Sequence, residues 1–192
     1  MRRERVVVLG LLSASLLVAS LALGAQKSEM TPLDIPMIGD IEMLKVGDKA
    51  PLFVLEDLDG KVLDMAKDIS AKVHLMVFWS IFCEPCKAEM PLIQRLFEEY
   101  RDRGFEVVAI AMDGEPMKKS IQGLVKQQGY TFRVFIDQLA PDESFVAADP
   151  YGVAGTPTLY VVARDGRVTF AEVGRASKET LEAAIQKALG SK

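Results

Sequence analysis

An α/β fold around a largely parallel sheet is what this chain predicts, and three observations predict it. Two continuous apolar runs, VHLMVFW at 73–79 and FEVVAIAM at 105–112, have the length and β-branched content of strands buried on both faces. Segments with helical spacing alternate with such runs, the pattern of βαβ crossovers. Beyond the first 45 residues some 145 remain, enough for one domain to bury about 68–70% of its unfolded surface.

The chain begins outside that domain. Residues 1–5, Met-Arg-Arg-Glu-Arg, precede an uncharged apolar run from Val6 to Ala25. As a helix, at about 1.5 Å per residue, this run spans roughly the 30 Å of a bilayer core. Arginines on its short side put that end in the cytoplasm and carry the rest outward. Residues 1–25 serve either as an uncleaved membrane anchor, which their length favours, or as a signal peptide cut after small residues such as Ala22, Gly24 or Ala25. No cysteine sits where the run ends, which excludes a lipoprotein. Residues 26–45, with Pro32 and Pro36 and no clean periodicity, read as a linker, leaving 46–192 as the domain.

Within it, PLFVLEDLDGKVLDM reads as two short strands turning at Asp59-Gly60. The 73–79 strand follows. After it, Leu92, Ile93, Leu96, Phe97 and Tyr100 recur at helical spacing up to Gly104. The 105–112 strand leads to a helix at 115–128 closed by Gly129, and TFRVFID at 131–137 is a further strand. SFVAADPYG at 144–152 is a short helical or irregular passage. TLYVVARDGRVTFAEV is a hairpin turning at Asp165-Gly166, and SKETLEAAIQKAL is a closing helix capped by Ser177 with Thr180 in its first turn. No repeat or low-complexity segment interrupts this order.

Charge excludes one class of partner. Residues 1–25 hold three arginines and one glutamate, so the rest of the chain carries 20 basic against 26 acidic side chains, a charge of −6. Nucleic-acid binding needs a basic surface.

The chain's two cysteines stand together in FWSIFCEPCKAEMP, at 83 and 86. A bridge closing so short a loop removes little entropy from the unfolded chain, so it makes a poor staple. Structural zinc needs four ligands, and beyond this pair the chain has one histidine, His74, inside a buried strand; no metal site is expected. His74 itself reads as structural. Cys83 ends a strand where a helix begins, and the unpaired N–H groups of a helix N-terminus favour thiolate. Cys86 lies one turn on, on the same side. Pro85 lacks an N–H where none is needed. The pair therefore reads as a redox switch, with Cys83 the exposed nucleophile and Cys86 the shielded resolving thiol. Glu89, three residues beyond Cys86, is either a base for that thiol or a solvated helix glutamate. Glu84 is expected exposed, Trp79 a core or site-wall aromatic, and Pro91 a kink.

Taken in order, VGDKAPLFVLEDLDGKVLDM, HLMVFWSIFCEPCKAEMPLIQRLFEEY and GVAGTPTLYVVARDGRV resemble the thioredoxin-like proteins of the TlpA/ResA/CcmG group, with CEPC and KAEMP most like its ResA branch. The likeness covers residues 46–189. It implies a thioredoxin fold with an N-terminal β-hairpin and a central βα insertion, and no cofactor beyond a redox-active Cys83–Cys86 disulfide. It also implies catalytic roles for Cys83, Cys86 and Glu89. Thr156-Pro157 would be a cis-proline loop facing the cysteines, the Thr156 backbone pairing with an extended client segment. With it, Trp79, Glu84 and Pro85 would make up the substrate-binding surface. The chain departs from the group in Phe82, where tryptophan is usual. It departs from thioredoxin itself in Val77, where a buried aspartate stands, which moves the buried-carboxylate role onto Glu89. The segment 138–148 is longer than expected.

The leading expectation is an extracytoplasmic disulfide reductase of cytochrome c maturation. It would act on oxidised protein thiols such as those of apocytochrome c and be re-reduced by a membrane thiol–disulfide carrier. Its rivals are an oxidant or isomerase of the same fold, a peroxiredoxin-like peroxidase with Ser80 where threonine is usual, and a non-catalytic binding module. Fold alone does not choose among them.

Overall fold

A computed structural model of the chain describes residues 42–190; the apolar run 1–25 and most of the linker 26–45 lie outside the described residues. Among the described residues seven strands and four α-helices alternate much as the periodicity predicts. Strands β1 (Val54–Glu56) and β2 (Val62–Asp64) pair antiparallel, and Gly60 supplies the left-handed residue of their turn at φ +81°. Helix α1 (Met65–Asp68) follows, capped by the Asp64 carboxylate.

β3 (Val73–Trp79) is the centre of a five-stranded sheet ordered β5-β4-β3-β6-β7, with β4 Phe105–Ala111, β5 Arg133–Ile136, β6 Thr158–Val162 and β7 Val168–Val173. Among the described residues no helix is long and apolar enough to cross a membrane.

The sheet is mixed, which corrects the largely parallel arrangement read from periodicity. β3, β4 and β5 run parallel, but β6 lies antiparallel to β3 and β7 antiparallel to β6. The parallel pairs are joined through α2 (Glu84–Tyr100) and α3 (Lys118–Gln128), the latter forming with β5 the central βα insertion. β5 and β6 are joined by an irregular passage instead of a crossover helix, and β6 and β7 by a tight hairpin at Gly166, which forces them antiparallel.

Both faces of β3 are covered, the physical reason its sequence is an unbroken apolar run. Val73, Leu75, Val77 and Trp79 face α2, α3 and α4 (Lys178–Gly190), meeting Ile93, Leu96, Ile121 and Leu181. Met76 and Phe78 face the hairpin and the 145–153 segment, meeting Phe53, Leu63, Tyr151 and Tyr160. His74 lies in the same strand, fully buried, with neither ring nitrogen hydrogen-bonded, and burial pushes its pKa below 6.5.

Two buried carboxylates organise what surrounds the sheet. Asp57 accepts from Asp59 N–H, Lys61 N–H and Arg133 Nε (3.1, 2.8 and 2.8 Å), while Leu58 N–H reaches the Val134 carbonyl; together they fasten the hairpin over the edge of β5. Asp137 accepts from the backbone N–H groups of Gln138, Ala147 and Ala148 (2.9, 3.0 and 2.8 Å) and so closes the long 138–148 segment at its base.

Candidate active site

β3 brings the chain to the end of the sheet at Trp79, a short turn over 80–83 reverses it, and α2 begins. Cys83 is the N-cap of that helix, in extended conformation (φ −88°, ψ 102°), and its sulfur accepts from Cys86 N–H at 3.2 Å. A sulfur so placed faces the positive end of a seventeen-residue helix, where the dipole favours negative charge. Cys83 and Cys86 are joined in a disulfide, Cα–Cα 5.2 Å. Their exposures differ in the sense expected: Cys83 is half-buried, while Cys86 is 2% exposed. Pro85 lies exposed in the first turn of α2, where its missing N–H costs no helical bond.

Opposite the pair stands the loop before β6. The Thr156-Pro157 bond is cis, and the Thr156 carbonyl oxygen lies 3.5 Å from the Cys83 sulfur. Gly174 N–H donates to the Pro157 carbonyl at 2.7 Å, and Thr158 Oγ1 to that of Gly155 at 2.7 Å, so the loop is held from both sides.

Glu89 is 1% exposed, which removes the reading of it as a solvated helix glutamate. Its Oε1 accepts from Ala176 N–H at 2.8 Å, while Oε2 is buried without a partner. Burial pushes its pKa up from 4.5, against the opposing pull of the Ala176 N–H and the Arg175 charge. Val77, by contrast, is an ordinary core side chain.

The remaining expected residues divide. Glu84 is exposed and ion-paired with Lys87 one turn along. Trp79 has no exposed surface and stands in the core, its indole N–H unpartnered, so it backs the site from within. A groove of about 380 Å³ beside the motif, between α2 and α3, is lined by Glu84, Lys87, Leu124, Gln128 and Tyr130, with Trp79 buried behind it. Phe82, next to the nucleophile, is 72% exposed. α2 runs on through Pro91 as one helix. Among the described residues, no group of three or more His, Cys, Asp or Glu is arranged to hold a metal ion.

Two groups at the site were not anticipated. Asp113, just past β4, accepts from Ser80 Oγ at 2.6 Å and from Ile81 N–H at 3.1 Å. The backbone of Ala176 holds Glu89. Both partnerships join segments far apart in the chain and left no local signal; the nearest hint was the Asp-Gly dipeptide after a strand.

A vicinal thiol pair that closes into a disulfide exchanges it with other disulfides through a mixed intermediate. The class of protein that this fold and site define is thiol–disulfide oxidoreductase, an enzyme class. The chain belongs to the redoxin family, whose pattern matches residues 45–189. It is 34% identical over 148 residues to the thiol-disulfide oxidoreductase ResA of Bacillus anthracis, covering 77% of this chain and 81% of that one. With the ResA of Halalkalibacterium halodurans it shares 29% over 143 residues, covering 74% of this chain and 77% of that one. Among solved structures, a thiol:disulfide interchange protein of the thioredoxin family from Chlorobium tepidum superposes with a TM-score of 0.64. That protein is 28% identical, over 77% of this chain and 99% of the other.

Proposed function

We propose that this protein reduces disulfides of other proteins outside the cytoplasm, with apocytochrome c as first client. One observation carries the thiol-exchange chemistry of this reading: the redox pair is asymmetric, its half-buried sulfur beside the Thr156 carbonyl and its other sulfur shielded. That is the arrangement an attacking and a resolving thiol require.

In the proposed cycle the Cys83 thiolate attacks one sulfur of a client disulfide. That bond breaks, a Cys83–client disulfide forms, and the client's other sulfur leaves as thiolate. Cys86 then gives its proton to the Glu89 carboxylate and attacks the Cys83 sulfur. The client leaves with both its sulfurs reduced, and the protein is left as the Cys83–Cys86 disulfide. Two electrons have passed to the client, and a dithiol carrier in the membrane returns two. The client lies extended beside Thr156 and Pro157, pairing with the Thr156 backbone, with Glu84, Pro85 and Phe82 touching its flanks. The kinship with ResA and the apolar run at 6–25 support this reading, residues 1–25 serving as anchor or export signal and 26–45 as tether.

The experiment is the reduction potential at pH 7 in defined thiol–disulfide buffers, followed by reduction of a peptide carrying an oxidised Cys-X-X-Cys-His site. A potential near that of thioredoxin, about −270 mV, is expected, with the peptide reduced and a Cys83→Ser variant inactive. A potential near that of DsbA, about −120 mV, would mean the protein oxidises or reshuffles its clients.

A further inference from the structure

Reduction removes the covalent link between Cys83 and Cys86, and Cys83 is then kept over the N-terminus of α2 by the Lys87 N–H bond to its carbonyl (3.1 Å) and by the turn that precedes it. The 80–83 turn has its own bonds: Cys83 N–H donates to the Ser80 carbonyl and Phe82 N–H to Ser80 Oγ, both at 3.1 Å. These close the turn on Ser80, which follows directly from β3; the side-chain tie from the turn to the rest of the fold is Asp113. Its Oδ1 accepts a hydrogen bond from the Ser80 hydroxyl and its Oδ2 one from the Ile81 N–H, so one carboxylate anchors both residues that begin the turn.

The placement follows from the sheet. The β3–β4 pairing continues one bond past the strands, Met112 N–H to the Trp79 carbonyl at 2.9 Å. The next side chain, Asp113, takes over where backbone pairing stops. Gly114, at φ +77°, then turns the backbone away into the 3₁₀ turn Glu115–Met117, leaving the carboxylate pointing back to Ser80. A carboxylate suits the position because it offers two acceptors to two donors, and charge-assisted bonds are the stronger kind. The same bonds commit the Ser80 hydroxyl to Asp113, so the serine aligned with a peroxidase threonine serves the turn.

We infer that Asp113 is a positioning residue of the redox pair, holding the Ser80–Cys83 turn so that the reduced Cys83 sulfur stays at the N-cap of α2. The inference rests on the dithiol cycle proposed above. Position is what makes Cys83 reactive: its thiolate is stabilised by the Cys86 N–H and the helix dipole only while it remains over them.

The test is the pH profile of iodoacetamide alkylation of Cys83 in the reduced protein, measured beside the melting temperature of the oxidised form. Asp113→Ala should slow alkylation about tenfold at pH 6, a shift of about one unit in the profile. Asp113→Asn should stay within about threefold of wild type, because its oxygen still accepts from Ile81 and its amide can donate to Ser80 Oγ. Should Asp113→Ala not fold, Ser80→Ala removes one bond of the same network and should slow alkylation about threefold, with Ser80→Thr restoring it. Faster alkylation in both Asp113 variants would mean the charge acts and not the position, and the inference would fall. So would lower melting temperatures with unchanged profiles, the mark of a merely structural residue. If wild-type protein failed to exchange with glutathione, the redox reading itself would fall, and this inference with it.

Discussion

Glu89 shows how much a single position can reveal. It belongs to a helical stripe, Cys86, Glu89, Met90, Ile93, Leu96 and Tyr100, that is buried along α2. A carboxylate inside an apolar stripe is legible from spacing alone, although spacing left open whether it faces water. Burial settled that by taking Oε2 out of solvent with no partner. Replacing Glu89 with Gln keeps an oxygen for the Ala176 N–H but removes the proton acceptor. Mixed disulfides with a client should then persist, and single-turnover quenching should find their resolution slowed about a hundredfold. Resolution at the wild-type rate would take Glu89 out of the cycle. Asp113 was not legible in this way, because its donors at Ser80 and Ile81 lie 33 and 32 residues away. Only the parallel alignment of β3 with β4 brings them together.

Strand and helix positions were readable because each element carries its own signal. β3 is buried on both faces and apolar but for His74; the 3₁₀ turn Arg101–Arg103 that follows α2 ends at Gly104 and α3 ends at Gly129, both at positive φ; Ser177 Oγ accepts from Thr180 N–H at the start of α4. How the elements pair was less readable, since β6 lies antiparallel to β3 though both are plain apolar runs. The hairpin is the clearest case of an element that depends on its seat. Its two strands have three residues each, too short to be stable alone, and Asp57 with Arg133 fastens them to β5. Burial alone would raise the Asp57 pKa, yet its bonds to Arg133, Lys61 and Asp59 hold it below the usual carboxylate range. Asp57→Ala should lower stability by about 1–3 kcal/mol in urea unfolding, with Arg133 exposed enough for water to take up part of the loss. Alkylation of Cys83 should not change; a change would mean that the hairpin reaches the site.

For the domain described here, buried titratable groups set opposing trends with pH. Glu89 binds its proton more tightly folded than unfolded, so its contribution is present at low pH and lost as pH rises from 4.5 through its raised pKa. His74 binds its proton less tightly folded, so its contribution is present above 6.5 and lost as pH falls through its lowered pKa. Glu89→Gln should therefore gain melting temperature relative to wild type at pH 7 more than at pH 4. His74→Met should flatten the acid side of the curve below pH 6.5. Parallel curves for His74→Met and wild type would mean that the histidine pairs in a way the fold does not show.

The thiol chemistry, the strands and helices, and the helix N-terminus under Cys83 were all present in the linear order of residues. Each depends on neighbours within a few positions: two residues between the cysteines, a proline in the first turn, glycines after the helices. What packing alone decided were the partnerships across the fold. These are Thr156 against the Cys83 sulfur, Ala176 against Glu89, Asp113 against the turn, and β6 laid antiparallel against β3. Local sequence cannot carry these because each bond joins segments 30 to almost 90 residues apart. Which segments meet follows from how apolar faces are buried together, a property of the whole domain.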